Sequence, residues 1–227
     1  MAGAALLALG ATACGGGEQE QAGDDIPVLA PGAPGESASP ATDEQLAAVE
    51  ESLTHNEADF EYVSRMVAHH EQALEMTDLV PDRAEREEIG KIADRIAAAQ
   101  DPEIEVMEEW LEANVYGPAR ENSAHRNYCG LDGGEGHDHG GDCVEVDHSD
   151  MPGMASDAQM ADLEAAEGEE FDELFVELMV THHQGAVTMA EEELLDGRHQ
   201  VVLEMANDVI AEQSVEIGRM REVLGED

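Results

Sequence analysis

Apolar positions recur every three to four residues along most of this chain, the period of a helix buried on one side. From Phe60 to Leu79 the pattern is unbroken until Pro81, which is expected to end the helix. Asp82 then reads as the cap of a second helix running to about Val115, ahead of Gly117-Pro118, with a kink at Asp101-Pro102. In the second half Ser156 is placed to cap a short helix over 157–166, which Gly168 ends. A long helix follows over 169–195, then a turn at Asp196-Gly197 and a last helix over 198–224. A weaker helical signal covers 42–53. Residues 15–41 are rich in Gly, Pro, Ser and acids and read as a disordered tether, and residues 119–155 also lack periodicity.

The two helical stretches are copies of each other. Sliding the chain by the distance from His70 to His183 aligns residues 60–111 with 173–224 without a gap. Identical pairs include Met66/Met179, His69/His182, His70/His183, Met76/Met189, Gln100/Gln213, Glu103/Glu216, Met107/Met220 and Leu111/Leu224. A single helical hairpin cannot bury its own apolar stripe, so the two copies are expected to cover each other as one four-helix bundle. The predicted fold is all-α, a four-helix bundle formed from two repeated helical hairpins. The bundle region is 42–227, with repeat one over 58–116, a linker over 117–155 and repeat two over 156–227.

Composition supports this plan and narrows the partners. Aromatic residues make up 3% of the chain, and Ala, Leu, Glu, Met and Val favour helix over sheet. The formal net charge is −44, and Lys91 is the single lysine. With no basic patch to exchange counterions with phosphates, nucleic acid is excluded as a partner, and so are anionic lipid surfaces. The acidity serves solubility, or else also concentrates cations near the protein.

The apolar run from Ala2 to Ala13 is too short to cross a bilayer and reads as the core of an export signal. It leads into Ala11-Thr12-Ala13-Cys14-Gly15, which resembles a lipobox, so residues 1–14 are expected to be a lipoprotein signal with Cys14 lipidated. Ala11 stands where Leu is usual, and no positive charge precedes the run. That leaves Cys129 and Cys143, which in an oxidising compartment argue for a disulfide. Between and beyond them His137, His139 and His148 make the linker a candidate metal-binding loop. A disulfide loop with incidental histidines and a thiolate metal site are the alternatives there.

On a helical wheel Met66, His69, His70, Ala73 and Met76 share the stripe that must be buried, and Gln100 and Glu103 are polar exceptions on the facing stripe. Such residues are either core packing, with methionine filling gaps and histidine closing a hydrogen-bond network, or ligands. The repeated Met-x-x-His-His-x5-Met set favours ligands: Met66, His69, His70 and Met76, and again Met179, His182, His183 and Met189. A di-iron bundle would want Glu three residues before His. Here Met66 and Met179 hold those places, and thioether with imidazole selects Cu(I), with Ag(I) alike and zinc or iron less suited. Gln100, Glu103, Gln213 and Glu216 are expected behind those ligands or as alternatives to them.

These motifs resemble the bacterial family called domain of unknown function 305. Its mark is a helix with Met-x-x-His-His-x-x-Ala-x-x-Met, here MVAHHEQALEM and MVTHHQGAVTM, followed by a helix like IAAAQDPEIEVMEEWL or VIAEQSVEIGRMREVL. The resemblance spans residues 58–225, and the two-copy form with a Met-Pro-Gly-Met linker looks like actinobacterial lipoproteins. It implies a ferritin-like bundle, export, and for some members copper or silver binding and tolerance. By position it adds Met107 and Met220 to the candidate ligands. The loop from Cys129 to Cys143 is not part of the common pattern.

The expectation is therefore an extracytoplasmic lipoprotein, attached to the membrane only by its lipid, that buffers or chaperones Cu(I). No residue requires catalysis. Two other readings stay open: a ferritin-like metal oxidoreductase, for which Glu103 and Glu216 are the candidates, and a metal-free helical interaction module. The sequence fixes neither a metal-delivery partner nor an oligomeric state.

Overall fold

The computed structural model describes residues 27–118 and 150–225. Cys14, Cys129, Cys143, His137, His139 and His148, and with them the lipid anchor, the disulfide and the linker metal loop, lie outside the described residues. The chain divides into two units, residues 1–47 and 48–227. In the first, within the stretch expected as a tether, β1 (Leu29–Ala30) pairs antiparallel with β2 (Ser39–Pro40). Helix α1 (Asp43–Ser52) spans the boundary between the units.

The second unit is helical. It contains α2 (Glu57–Arg83), α3 (Glu87–Leu111) continued by a π-helical turn (Glu112–Tyr116), α4 (Asp157–Ala165), α5 (Glu169–Asp196) and α6 (Gln200–Leu224). α2 packs on α3 and α5 on α6 as two hairpins, and the hairpins meet chiefly through α2 and α5. This is the four-helix bundle of two repeated hairpins that the duplication calls for. Among the described residues no helix is long and apolar enough to cross a membrane.

Helix boundaries follow local chemistry in some places and the partner repeat in others. α2 opens with a capping box, in which the Asn56 side chain accepts from the Asp59 N–H and Asp59 Oδ2 accepts from the Asn56 N–H. Ser156 and Gln159 do the same for α4, as expected from the sequence. Pro81 does not end α2, contrary to expectation. It sits in the last turn, just before the helix stops at Arg83, where one lost hydrogen bond costs little. Pro102 lies inside an unbroken α3, and the carbonyl its ring leaves unpaired, that of Ala98, is on an exposed residue.

Asp82 caps nothing. α3 starts later, at Glu87, because its N-terminus is closed from across the bundle. Asp172, fully buried on α5, accepts the backbone N–H of Glu85 at 3.1 Å and of Arg86 at 2.9 Å. Its counterpart Asp59, on α2, accepts the N–H of Arg198 at 2.9 Å and of His199 at 2.8 Å, at the start of α6. Each repeat thus supplies the carboxylate that the other repeat's second helix needs, where the helix dipole is positive.

The interior has three levels. One apolar cluster gathers Phe60, Val63, Met66, Met107, Trp110, Leu111, Met189 and Val202 among others. A second gathers Met76, Ile89, Ile96, Leu163, Phe171, Phe175, Met179 and Met220 among others. Along α2, α3, α5 and α6 the residues between those clusters are His69 and His70, Gln100 and Glu103, His182 and His183, Gln213 and Glu216. A polar level therefore crosses the middle of the bundle.

Candidate metal centre

The helical period places His69 and His70 on the buried side of α2 and their copies on the buried side of α5. All four imidazoles are fully buried. Where α2 meets α5 the rings of His69 and His182 lie against each other, with centroids 3.7 Å apart and planes tilted by 35°. His70 Nε2 is 2.7 Å from Glu103 Oε2, and His183 Nε2 is 2.9 Å from Glu216 Oε2, so each hairpin makes the same bond from its first helix to its second.

His69 Nε2 lies 2.9 Å from the carbonyl oxygen of Pro152, in the linker. A carbonyl only accepts, so Nε2 of His69 carries the proton and Nδ1 is a bare lone pair. With a carboxylate oxygen as the acceptor at Nε2, His70 and His183 take the same tautomer against Glu103 and Glu216. No partner reaches Nδ1 of His69, His70 or His183, or either ring nitrogen of His182. A ring held by one nitrogen and bare at the other is how histidine is prepared for a metal.

Electrostatics keep the rings of His69, His70 and His182 neutral. Burial lowers His69 to about 3, and the hydrogen bond it donates to the Pro152 carbonyl opposes that only in part. Burial, then the neighbouring His183, lowers His70 to about 3. His182 lies well below the ordinary imidazole range for the same first reason, with His69 beside it adding to the effect. Neutral imidazole is the ligating form. Burial also lifts the Glu103 carboxyl above the usual range.

The thioethers flank this level as two mirrored groups. Met66, Met107 and Met189 belong to one apolar cluster, and Met179, Met220 and Met76 to the other. Each group takes two methionines from one repeat and one from its partner. All six are 5% exposed or less. Met66 and Met76, on one helix, are thus separated by the histidine level and do not share a cluster. Gln100 and Gln213 are buried with neither amide atom hydrogen-bonded, an arrangement that costs about 1–3 kcal/mol per unmet group.

Among the described residues no three His, Cys, Asp or Glu side chains converge as a metal site. A metal held here needs the thioethers, and the soft donor set suits a monovalent soft cation better than zinc, iron or magnesium. Orphaned imidazole nitrogens between two thioether groups fit such an ion.

The linker takes part in a way the sequence does not announce. Residues Met151 to Ala155 lie across the α2–α5 crossing. Gln72 holds Ala155 through two hydrogen bonds, to its N–H at 2.7 Å and from Nε2 to its carbonyl at 2.8 Å. Gly185 admits the segment on the other side, since a Cβ there would stand 1.9 Å from the Pro152 oxygen. Gly153 adopts φ +79°, a conformation that favours glycine. The Met-Pro-Gly-Met motif is therefore the strap that holds His69.

Asp59, Asp172, Tyr62, Glu193 and the Pro152 carbonyl were not among the candidates drawn from the sequence. For Glu193 a signal exists. Its copy in repeat one is Val80, and a charged residue at a position that its duplicate keeps apolar marks a departure from plain packing.

A model of the family described as Domain of unknown function (DUF305) matches residues 59–224. Among solved structures, the chain is similar to a DUF305 protein from Streptomyces coelicolor whose name assigns it as secreted. The identity is 28% and the TM-score 0.57, over 74% of this chain and 91% of that one. A DUF305 fragment from Deinococcus radiodurans is 26% identical with a TM-score of 0.58, over 76% and 98%. CopM in an Ag-bound form and in a Cu(II)-bound form is in each case 25% identical with a TM-score of 0.51, over 72% and 93%. No curated protein matches the chain.

Proposed function

This chain belongs to the DUF305 family, and from that premise we propose that it is an exported, lipid-anchored protein that binds Cu(I), and Ag(I) alike, as a buffer or chaperone in the cell envelope. The observation that carries this reading is the buried histidine level. Three of its four rings are tied through Nε2 and bare at Nδ1, between two groups of three thioethers. His69, His70, His182 and His183 with Met66, Met76, Met107, Met179, Met189 and Met220 would hold the ion. Glu103 and Glu216 would fix the rings, and Gln100 and Gln213 would stand close by as supporting or alternative donors.

Likeness to CopM, described in silver-bound and copper-bound forms, supports the choice of ion. Likeness to a DUF305 protein described as secreted supports an extracytoplasmic place. Lipidation at Cys14, a Cys129–Cys143 disulfide and weaker metal binding at His137, His139 and His148 belong to the same proposal and rest on the sequence.

Anaerobic titration of the purified protein with Cu(I) against a competing chelator tests it, beside a variant with all four histidines changed to Ala. Tight binding lost in the variant supports a metal in the bundle. Equal binding by both, or by neither, overturns it and returns the histidines to core packing.

A further inference from the structure

The duplication provides an internal comparison, because every position at one end of the α2–α5 pair has a copy at the other end. At one end the copies are apolar. Leu79, Val80, Leu174, Phe175 and Leu178 lie in or against the second cluster, which Leu163 and Ala166 beside α4 also join. At the opposite end the same positions are Glu192, Glu193, Glu61, Tyr62 and Arg65. These five line a cavity of about 120 Å³, and Met189 lines it with them.

Two polar side chains in this cavity are buried. Tyr62 is 5% exposed and its hydroxyl has no partner, and Glu193 is 3% exposed, with no donor reaching either oxygen and the Asp59 carboxylate as its acidic neighbour. Their counterparts, Phe175 and Val80, meet the packing need of the position without such a cost, so packing does not explain Tyr62 and Glu193. Arg65 is the cationic group on the wall; its guanidinium donates to the Asp150 carbonyl at 3.2 Å, and its buried Nε has no partner. Against it stand the acids Glu61, Glu192 and Asp196, with the Glu193 carboxyl among them. Met189, at the inner side, belongs to the cluster of Met66 and Met107.

We propose that this cavity is the entry port through which a soft monovalent cation reaches Met189 and the thioethers behind it, with the Tyr62 hydroxyl and the Glu193 carboxyl as oxygen donors on the way. The inference rests on the metal-binding reading above. A cleft in which acids outnumber bases raises the local concentration of cations and hence the rate of their capture. Weak oxygen donors ahead of thioethers let a soft ion shed water and pass inward, since it prefers sulfur. At the other end Val80 and Phe175 hold the equivalent positions, so the two ends differ in polar lining although their methionines match.

Stopped-flow mixing of the full-length protein with silver nitrate tests this, read by Trp110, the single tryptophan, which lies in the cluster behind Met189. Glu193→Val and Tyr62→Phe install the residues of the other end, and Glu193→Gln keeps the fold if the valine variant does not. Asp94→Asn removes an exposed charge elsewhere. Each port variant alters an oxygen donor on the path and is expected to take up Ag(I) about tenfold more slowly, with equilibrium affinity within twofold of wild type and Asp94→Asn unchanged. Wild-type rates in folded Glu193→Gln and Tyr62→Phe would overturn the port and leave the metal-binding reading standing. Affinity lost in step with rate would make these residues ligands and overturn the port as well. No Ag(I) binding by wild type would remove both readings together.

Discussion

Asp172 accepts the backbone N–H of Arg86 at 2.9 Å, so a carboxylate of the second repeat closes the N-terminus of a helix in the first. Asp59 returns the bond at the start of α6. The exchange makes each hairpin incomplete without its copy, which is why a duplicated hairpin folds as one bundle. Asp172→Ala is expected to lower stability by about 2–3 kcal/mol, the cost of two charge-assisted bonds and of unmet donors in a buried place. Thermal unfolding, read by far-UV circular dichroism, should show a Tm lower by roughly 5–10 °C. An unchanged Tm would mean that water replaces the carboxylate at no cost.

Much of this arrangement was legible in the sequence. Period and repeat together specify four long helices with His69, His70, His182 and His183 inside, because a buried stripe is a local property of a helix. Contacts between repeats are not local. Nothing near Arg86 in the chain announces Asp172, so local pattern alone points to Asp82 as the start of α3 and to Pro81 as a stop. The split of the methionines into Met66, Met107 and Met189 against Met76, Met179 and Met220 likewise follows from how the hairpins pack, which spacing within one helix cannot give.

Acid should destabilise the metal-free protein through its buried imidazoles. His69 and His70 are lowered to about 3 in the folded state by burial, and His182 is lowered as well, whereas the unfolded chain titrates near 6.5. Between those values the unfolded chain binds protons that the folded one refuses, so stability falls as pH drops from 6.5 toward 3. Tm measured with a chelator present should decline over that window. Replacing His69 and His182 by Leu should flatten the decline, and an equally steep curve in that variant would assign it to other groups.

Gly185→Ala should lift the linker strap. A methyl group at this position would overlap the Pro152 carbonyl, so either the segment from Met151 to Ala155 moves or α5 bends. Overpacking of this kind costs about 1–3 kcal/mol. Hydrogen exchange should quicken at the Ala155 amide, now held by Gln72, and His69 should lose its Nε2–H acceptor. Silver affinity should fall with it if the fixed tautomer matters for binding, and strap exchange at the wild-type rate would show that the helix gives way instead.

Glu193 should make the protein less stable as the solution becomes more alkaline. Burial, with Asp59 and then Asp196 beside it, raises its carboxyl to about 9, while in the unfolded chain it titrates near 4.5. Folding therefore holds a proton that the unfolded chain has released, and the stability present below pH 4.5 is lost progressively as pH rises through 9. The groups around it do not reverse this: Glu61, Glu192 and Asp196 are acids, Tyr62 is itself pushed upward by burial, and Arg65 is tied to Asp150. Glu193→Gln cannot titrate, so its Tm advantage over wild type should be small at pH 5 and widen by several degrees at pH 8–9. A difference that stays constant with pH would mean that Glu193 is ionised in the fold at neutral pH, and that a counter-charge has been found for it within the cavity.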